Sequence, residues 1–138
     1  MEMLEEFHRN MPDPKRREQS WENITKGVDS RYFIDAAKRF DKLLSDMEAV
    51  LAIAKWLAGD EYSLADISYA LYITRLDHLQ LQFFWDHRPH IPNWYDRLRE
   101  RRSYRIAFDG WPNESYYALM KEKGFEARDQ VKAILRTI

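Results

Sequence analysis

Apolar residues between positions 31 and 57 recur at alternating intervals of four and three. This spacing places them on one face of a helix and leaves the opposite face polar. The pattern predicts one long amphipathic helix, with Gly59 stopping it just after its last turn. The residues of this stripe are Phe33, Ala37, Phe40, Leu44, Met47, Leu51 and Ala54.

The next segment, from Leu64 to about Leu81, carries apolar or aromatic residues on nearly every side of a helix. A helix with this composition is normally enclosed by other protein. It is too short to span a membrane and too polar near its end, at Arg75, Asp77 and His78. The pattern therefore predicts a central helix buried among its neighbours.

The junction between these two helices contains a helix-start signal. Ser63 stands three residues before Asp66, so each side chain is placed to accept a hydrogen bond from the other residue's backbone N–H, as in a capping box. Tyr62 and Ile67 occupy the positions of a hydrophobic staple across the same turn. This spacing assigns Asp66 a structural capping role rather than a catalytic one.

Prolines and glycines divide the rest of the chain into shorter helices. Pro92 suits the first position of a helix with aromatic or apolar residues inward at positions 94, 95 and 98. Asn113 is the predicted cap of a short helix that stops at Gly124, and a final helix covers about residues 126–136. The first thirty residues indicate two short helices or one helix bent at its prolines. No segment alternates with period two, so we expect an all-α bundle of about six helices forming one domain, residues 1–138.

The amino-acid composition excludes several classes of function. The chain has 138 residues, of which 45% are hydrophobic and 33% charged, as expected for a globular domain. Its net charge of −1 gives no general attraction to nucleic acid or to an anionic membrane. The absence of cysteine excludes disulfides and thiolate chemistry. No apolar run is long enough to cross a bilayer and no signal peptide is visible, so we expect a cytoplasmic protein without a membrane or nucleic-acid partner.

Catalytic and metal-binding motifs are not evident. The four histidines do not have metal-ligand spacing, because Pro89 separates the two that are close, His87 and His90. Asp77 and His78 are adjacent and point about 100° apart on a helix, which disfavours an acid–base pair. The basic run from Arg97 to Arg105 is open to two interpretations, a solvated helix face or a phosphate-binding patch. We therefore predict no catalytic residue and no metal ligand.

Most aromatic residues have helical spacing typical of a core, but one group does not. Trp111, Tyr116 and Tyr117 lie in a turn and in the first turn of the helix after it. Side chains in such positions are able to line an opening, and tyrosine combines an apolar ring with a hydroxyl donor. This group is our candidate for binding an apolar, electrophilic small molecule.

Two stretches resemble the C-terminal domain of glutathione S-transferases. The first runs from Trp56 to Ile67 and contains Leu-Ala-Gly-Asp followed by Ser-Leu-Ala-Asp-Ile; the second is Arg88-Pro-His-Ile-Pro-Asn-Trp-Tyr, continued to Tyr104. Their order and separation also suit that family. Within it, residues 63–104 are similar to the bacterial beta-etherase-like group and the ganglioside-induced differentiation-associated proteins.

The resemblance implies a two-domain parent protein. A thioredoxin-like N-terminal domain would bind glutathione, and we expect that domain to be absent from this chain, which would then be inactive alone. This chain would form the pocket for an apolar small-molecule electrophile. The family's first helix in this domain implies pocket roles for Phe7, His8 and Met11. Family members commonly dimerise, partly through the first two helices, so a homodimer is expected.

Two other functions compete with this interpretation. The same helical domain serves as a non-catalytic assembly platform in translation elongation factor and aminoacyl-tRNA synthetase complexes. A protein–protein interaction module is therefore the alternative. An unrelated helical bundle that shares a capping box is the third interpretation, disfavoured by the presence of two motifs in the family's order.

Overall fold

The computed structural model describes residues 2–110 and 113–137, without the side chains of residues 2–4 and 7. No β-strand occurs in these ranges, and the predicted all-α class is confirmed. Short 3₁₀ turns follow α2 and α4, at Gly27–Asp29 and Gln82–Trp85, and a π turn follows α6 at Arg105–Asp109. The α-helices are α1 (Glu2–Arg9), α2 (Pro14–Lys26), α3 (Arg31–Leu51), α4 (Leu64–His78), α5 (His90–Arg99), α6 (Arg102–Tyr104) and α7 (Glu114–Leu135).

The chain divides into two compact units, with boundaries inside α3 and α7. The first unit comprises residues 1–40 and 130–138. In it, α1 and α2 are separate helices that contact each other, with the break at the Pro12-Asp13-Pro14 sequence. The Asp13 carboxylate caps α2 by accepting the backbone N–H of Lys15 at 2.9 Å.

The second unit comprises residues 41–129 and has a core made by α3, α4 and α5. Leu44, Ile73, Ile91, Trp94 and Leu98 are each at most 1% exposed. The predicted apolar stripe of α3 is largely inward, since four of its residues are buried. These four are Ala37, Leu44, Met47 and Leu51.

The prediction that α3 extends to residue 57 is wrong, because the helix ends at Leu51. Trp56 and Gly59 exchange backbone hydrogen bonds of 2.8 and 3.1 Å in a tight turn, in which Gly59 has φ +123°. The N–H of Leu57 goes to the carboxylate of Asp66 at 3.0 Å. The backbone groups of Trp56, Leu57 and Gly59 therefore form these hydrogen bonds and are not available to extend the helix. Gly59 supplies the positive φ that the turn requires and does not end the helix.

The predicted enclosure of the central helix on all sides is also wrong within the described residues. α4 ends at His78, where Gln80 has φ +59° and the N–H of Leu81 donates to the carbonyl of Leu76 at 2.9 Å. Its buried face includes Asp66, Ala70, Ile73, Thr74 and Leu76. On the opposite face Leu64 is 79% exposed, Leu71 60%, Tyr72 50% and Ile67 47%.

α7 is continuous from Glu114 to Leu135, so Gly124 does not stop a helix as predicted. A β-carbon at Gly124 would lie 1.8 Å from the carbonyl oxygen of Leu79. The absence of a side chain thus permits close approach between α7 and the end of α4. Asn113 does cap this helix, accepting the N–H of Tyr116 at 3.1 Å.

α5 begins at His90, two residues before the predicted start at Pro92. The reason is a carboxylate on α3: Glu48 accepts the N–H groups of His90 at 3.1 Å and Ile91 at 3.2 Å. A negative charge at this position also favours the helix N-terminus. The predicted inner face of α5 is buried at Trp94, Tyr95 and Leu98.

Candidate functional site

Asp66 is completely buried, and its carboxylate is surrounded by donors. It accepts the N–H groups of Leu57 and Ser63 at 3.0 Å each, the Ser63 hydroxyl at 3.1 Å and Trp94 Nε1 at 2.8 Å. Ser63 Oγ in turn accepts the N–H of Ala65 at 3.2 Å, which completes the capping arrangement. Every one of these partners belongs to the fold, so the carboxylate connects the 52–63 turn with α4 and α5 instead of facing a substrate.

The aromatic residues of this turn are covered by arginines of the basic run. Tyr62 packs edge-on against Trp56 at 5.2 Å, and the guanidinium of Arg101 lies 3.6 Å from the Tyr62 ring centre. Arg97 lies over Trp56 at 5.5 Å and donates to the carbonyl of Lys55 at 2.7 Å. Two cations of the run therefore stabilise the turn. The staple between Tyr62 and the half-exposed Ile67 remains a prediction.

An open groove of about 570 Å³ lies in the second unit, bordered by α4, the π turn and the first turns of α7. Its lining combines aromatic rings with a few polar side chains, which is typical of small-molecule sites. The lining residues are Leu71, Tyr72, Thr74, Arg75, His78, Phe108, Asn113, Tyr116, Tyr117 and Met120.

Two nitrogen-bearing side chains of α4 face the tyrosines of α7 in this groove. The imidazole of His78 lies against the Tyr117 ring at 4.6 Å, and the Arg75 guanidinium lies 5.7 Å from the Tyr116 ring centre and contacts Met120 Sδ. Burial lowers the pKa of His78, and nearby Arg75 lowers it further against the opposing effect of Asp77. The imidazole is therefore neutral at neutral pH.

A hydroxyl network connects Thr74, in the lining of the groove, with Tyr104 and Tyr95. Thr74 Oγ1 and the Tyr104 hydroxyl are 2.8 Å apart, and the Tyr104 and Tyr95 hydroxyls are 3.2 Å apart. The Tyr95 hydroxyl donates to Asp77 Oδ2 at 3.2 Å. Burial, together with the hydrogen bond to Tyr104, raises the pKa of Tyr95 well above its ordinary value. The Tyr95 hydroxyl therefore stays protonated, and the network fixes the position of Thr74 in the groove lining.

The structure places the predicted substrate-binding residues in different parts of the fold. Tyr116 and Tyr117 share the groove. The His8 ring is tilted against Trp21 at 4.9 Å and lines a cavity of about 550 Å³ in the first unit, and Met11 lines another depression of that unit. Trp111 lies outside the described residues, and so does the side chain of Phe7.

Sequence reasoning missed the contribution of α4 to the groove. Leu71, Arg75 and His78 are spaced by four and three residues, so they share one helix face. That spacing was a usable signal, but an apolar composition on every side of the helix concealed which face was open.

Among the described residues, no helix is both long and apolar enough to cross a membrane. The same part of the chain contains no cluster of three or more acidic or histidine side chains able to hold a metal ion.

Comparison with known proteins gives matches that cover the middle of the chain. The family model for "Glutathione S-transferase, C-terminal domain" matches residues 28–102. Glutathione S-transferase GstB of Escherichia coli K12 is 40% identical over 73 residues, which is 52% of this chain and 34% of the relative. Tetrachloro-P-hydroquinone reductive dehalogenase of Sphingobium chlorophenolicum is 34% identical over 74 residues, 54% of this chain and 28% of the relative. The matches thus span about a third of these relatives, and no solved structure matches.

Proposed function

Because the chain belongs to the glutathione S-transferase family, as its C-terminal domain, we propose that it forms the co-substrate side of a transferase-type protein. The observation that carries the proposal is the groove, in which tyrosines of α7 face the exposed side of α4. Its rings provide flat apolar surface for an aromatic electrophile, and the hydroxyls provide orienting hydrogen bonds.

The second part of the proposal concerns glutathione. A thioredoxin-like domain of the parent protein would bind it, and the exposed apolar residues of α4 support a docking surface for that domain. Leu64, Ile67 and Leu71 form one stripe at intervals of three and four, and a stripe of this kind is normally covered by protein. On this proposal the chain binds the electrophile but does not conjugate glutathione alone.

The groove assignment is tested by NMR titration of the labelled chain with 1-chloro-2,4-dinitrobenzene, an apolar aromatic electrophile. We expect shift changes at Tyr116, Tyr117 and Met120, and weaker binding in Tyr117→Ala. The matched control is Phe125→Ala, which removes a 68% exposed aromatic residue of the same helix outside the groove. Saturable shifts confined to another part of the chain would refute the assignment.

Dimerisation is a further proposal, through α1 and α2. The partly exposed apolar residues Trp21 and Ile24 of α2 support it, because they would be covered by a second copy. Sedimentation equilibrium tests it: a concentration-dependent mass weakened by Trp21→Ser and Ile24→Ser is expected, whereas a monomer at high concentration would exclude it.

The finer placement of the chain is also proposed rather than established. Residues 63–104 support membership of the beta-etherase-like or ganglioside-induced differentiation-associated group, although neither matched relative carries such a name. The names of the two relatives point to two reactions for the parent protein, glutathione transfer and reductive dehalogenation. We also propose that the protein is located in the cytoplasm. Product analysis of the parent protein with a chloroaromatic substrate would separate the two reactions.

The alternative is a non-catalytic module that mediates protein assembly. The exposed stripe of α4 would serve a protein partner as readily as a thioredoxin-like domain. Co-purification of the parent protein with a stable partner, together with no retention on glutathione resin, would favour this alternative.

A further inference from the structure

Arg75 is a cation without a carboxylate partner in the described part of the fold. Its guanidinium contacts Met120 Sδ and lies over the Tyr116 ring, and the ion pairs of arginine in the described residues involve Arg16, Arg31 and Arg88 instead. A thioether sulfur is a weak acceptor, so most of its N–H donors lack a strong acceptor among the described residues. Asp77, the nearest acid in sequence, has both oxygens occupied, one by Gln82 Nε2 at 2.8 Å and the other by the Tyr95 hydroxyl at 3.2 Å.

The charge of the groove therefore has one sign. Among the described lining residues Arg75 is the single charged one, and none of them is a carboxylate. His78 adds a neutral imidazole, which is able to donate one hydrogen bond to a ligand without contributing charge. A neutral apolar molecule would gain little from a guanidinium in this position, whereas an anion would gain a charge-assisted hydrogen bond.

The aromatic lining of the groove favours a flat anion. Tyr116 and Tyr117 present their rings beside Arg75 and His78, and Phe108 contributes a further ring. An aromatic ring is able to pack against these faces at the usual centroid separations while a substituent reaches the guanidinium.

We propose that the groove selects aromatic molecules that carry a carboxylate or phenolate, with the anionic oxygen paired to Arg75 and the ring packed against Tyr116 and Tyr117. This inference rests on the proposed function, because it specifies the substrate class of the same groove. Arg75 is then the residue that sets specificity, and its role is binding rather than chemistry.

The test compares two nearly isosteric probes, 4-chloro-3-nitrobenzoate and 4-chloro-3-nitrobenzamide, by NMR titration of the whole chain at neutral pH. We expect the benzoate to bind about tenfold more tightly, the size of one charge-assisted hydrogen bond. Arg75→Gln should remove this preference and leave the amide unchanged, while Arg75→Lys should restore part of it. Arg102→Gln, an exposed arginine outside the groove, should change neither affinity.

The outcomes separate this inference from the function it depends on. Equal binding of both probes in the groove, or a preference that survives in a folded Arg75→Gln variant, overturns the selection of anions and leaves the groove assignment intact. Failure of both probes to bind in the groove overturns both. Circular dichroism melting of each variant shows that altered affinity does not reflect unfolding.

Discussion

The carboxylate of Asp66 explains why two separated sequence motifs belong together. It receives backbone donors from the 52–63 turn and the indole N–H of Trp94 on α5, 28 residues away. A buried charge is tolerated only where hydrogen bonds replace the lost water, and here both carboxylate oxygens are used. Asp66 is therefore a folding determinant and not one of the residues that line the proposed groove.

We expect Asp66→Asn to destabilise the chain by about 3–5 kcal/mol, because an amide nitrogen would face donors that then lose their acceptor. Trp94→Phe removes one donor and should cost about 1–2 kcal/mol, and Ser63→Ala about 1 kcal/mol. Urea unfolding measures all three. Asp60→Asn, an exposed change in the same turn, is the control. If Asp66→Asn cost no more than this control, the carboxylate would have no central role.

At the scale of single residues, the sequence predicts contacts between residues that are close along the chain, but not contacts between residues that are far apart along it. The contact between Ser63 and Asp66 is local, and its three-residue spacing was sufficient to predict the geometry. The bond from Trp94 was not predictable, because it requires α5 to be positioned against α4 first. The same limit applies to Arg75, whose lack of a carboxylate partner among the described residues becomes apparent only when its neighbours are known.

At the scale of helices, local signals located the elements but misplaced several ends. Glu48 starts α5 early by accepting N–H groups from a different helix, and Asp66 diverts the N–H of Leu57 from α3. Gly124 looked like a stop signal, although its function is to admit the carbonyl of Leu79. In each case a tertiary hydrogen bond or a close approach overrides the local preference.

Gly124→Ala tests the close approach of α7 and α4. Alanine in a helix interior normally gains about 1 kcal/mol over glycine, but here its β-carbon would overlap a carbonyl oxygen. We expect a net destabilisation of about 1–3 kcal/mol in urea unfolding, since backbone cannot move aside cheaply. Lys121→Ala, at an exposed position of α7, should be nearly neutral. A stabilised Gly124→Ala variant would show that the two elements are not closely packed.

At the scale of the whole molecule, the exposed apolar face of α4 has a functional interpretation, although the sequence did not predict that this face is exposed. Its apolar composition predicts burial on all sides, but in the described structure one side is buried and the other is exposed. Part of the open side forms the groove, through Leu71 and Tyr72, and Leu64 and Ile67 continue the same apolar surface. A sequence records that a face is apolar but not whether its partner belongs to the same chain.

The most direct test of the central claim is kinetic. In a chimera of the Escherichia coli relative in which this chain replaces the matched domain, we predict glutathione conjugation of 1-chloro-2,4-dinitrobenzene. Tyr117→Ala should raise the KM for the electrophile roughly five- to tenfold, because one packed ring is lost, and leave the KM for glutathione unchanged. Phe125→Ala should change neither constant. A folded chimera in which Tyr117→Ala leaves the electrophile KM unaltered, or shifts the glutathione KM instead, would contradict the assignment of the groove as the co-substrate site.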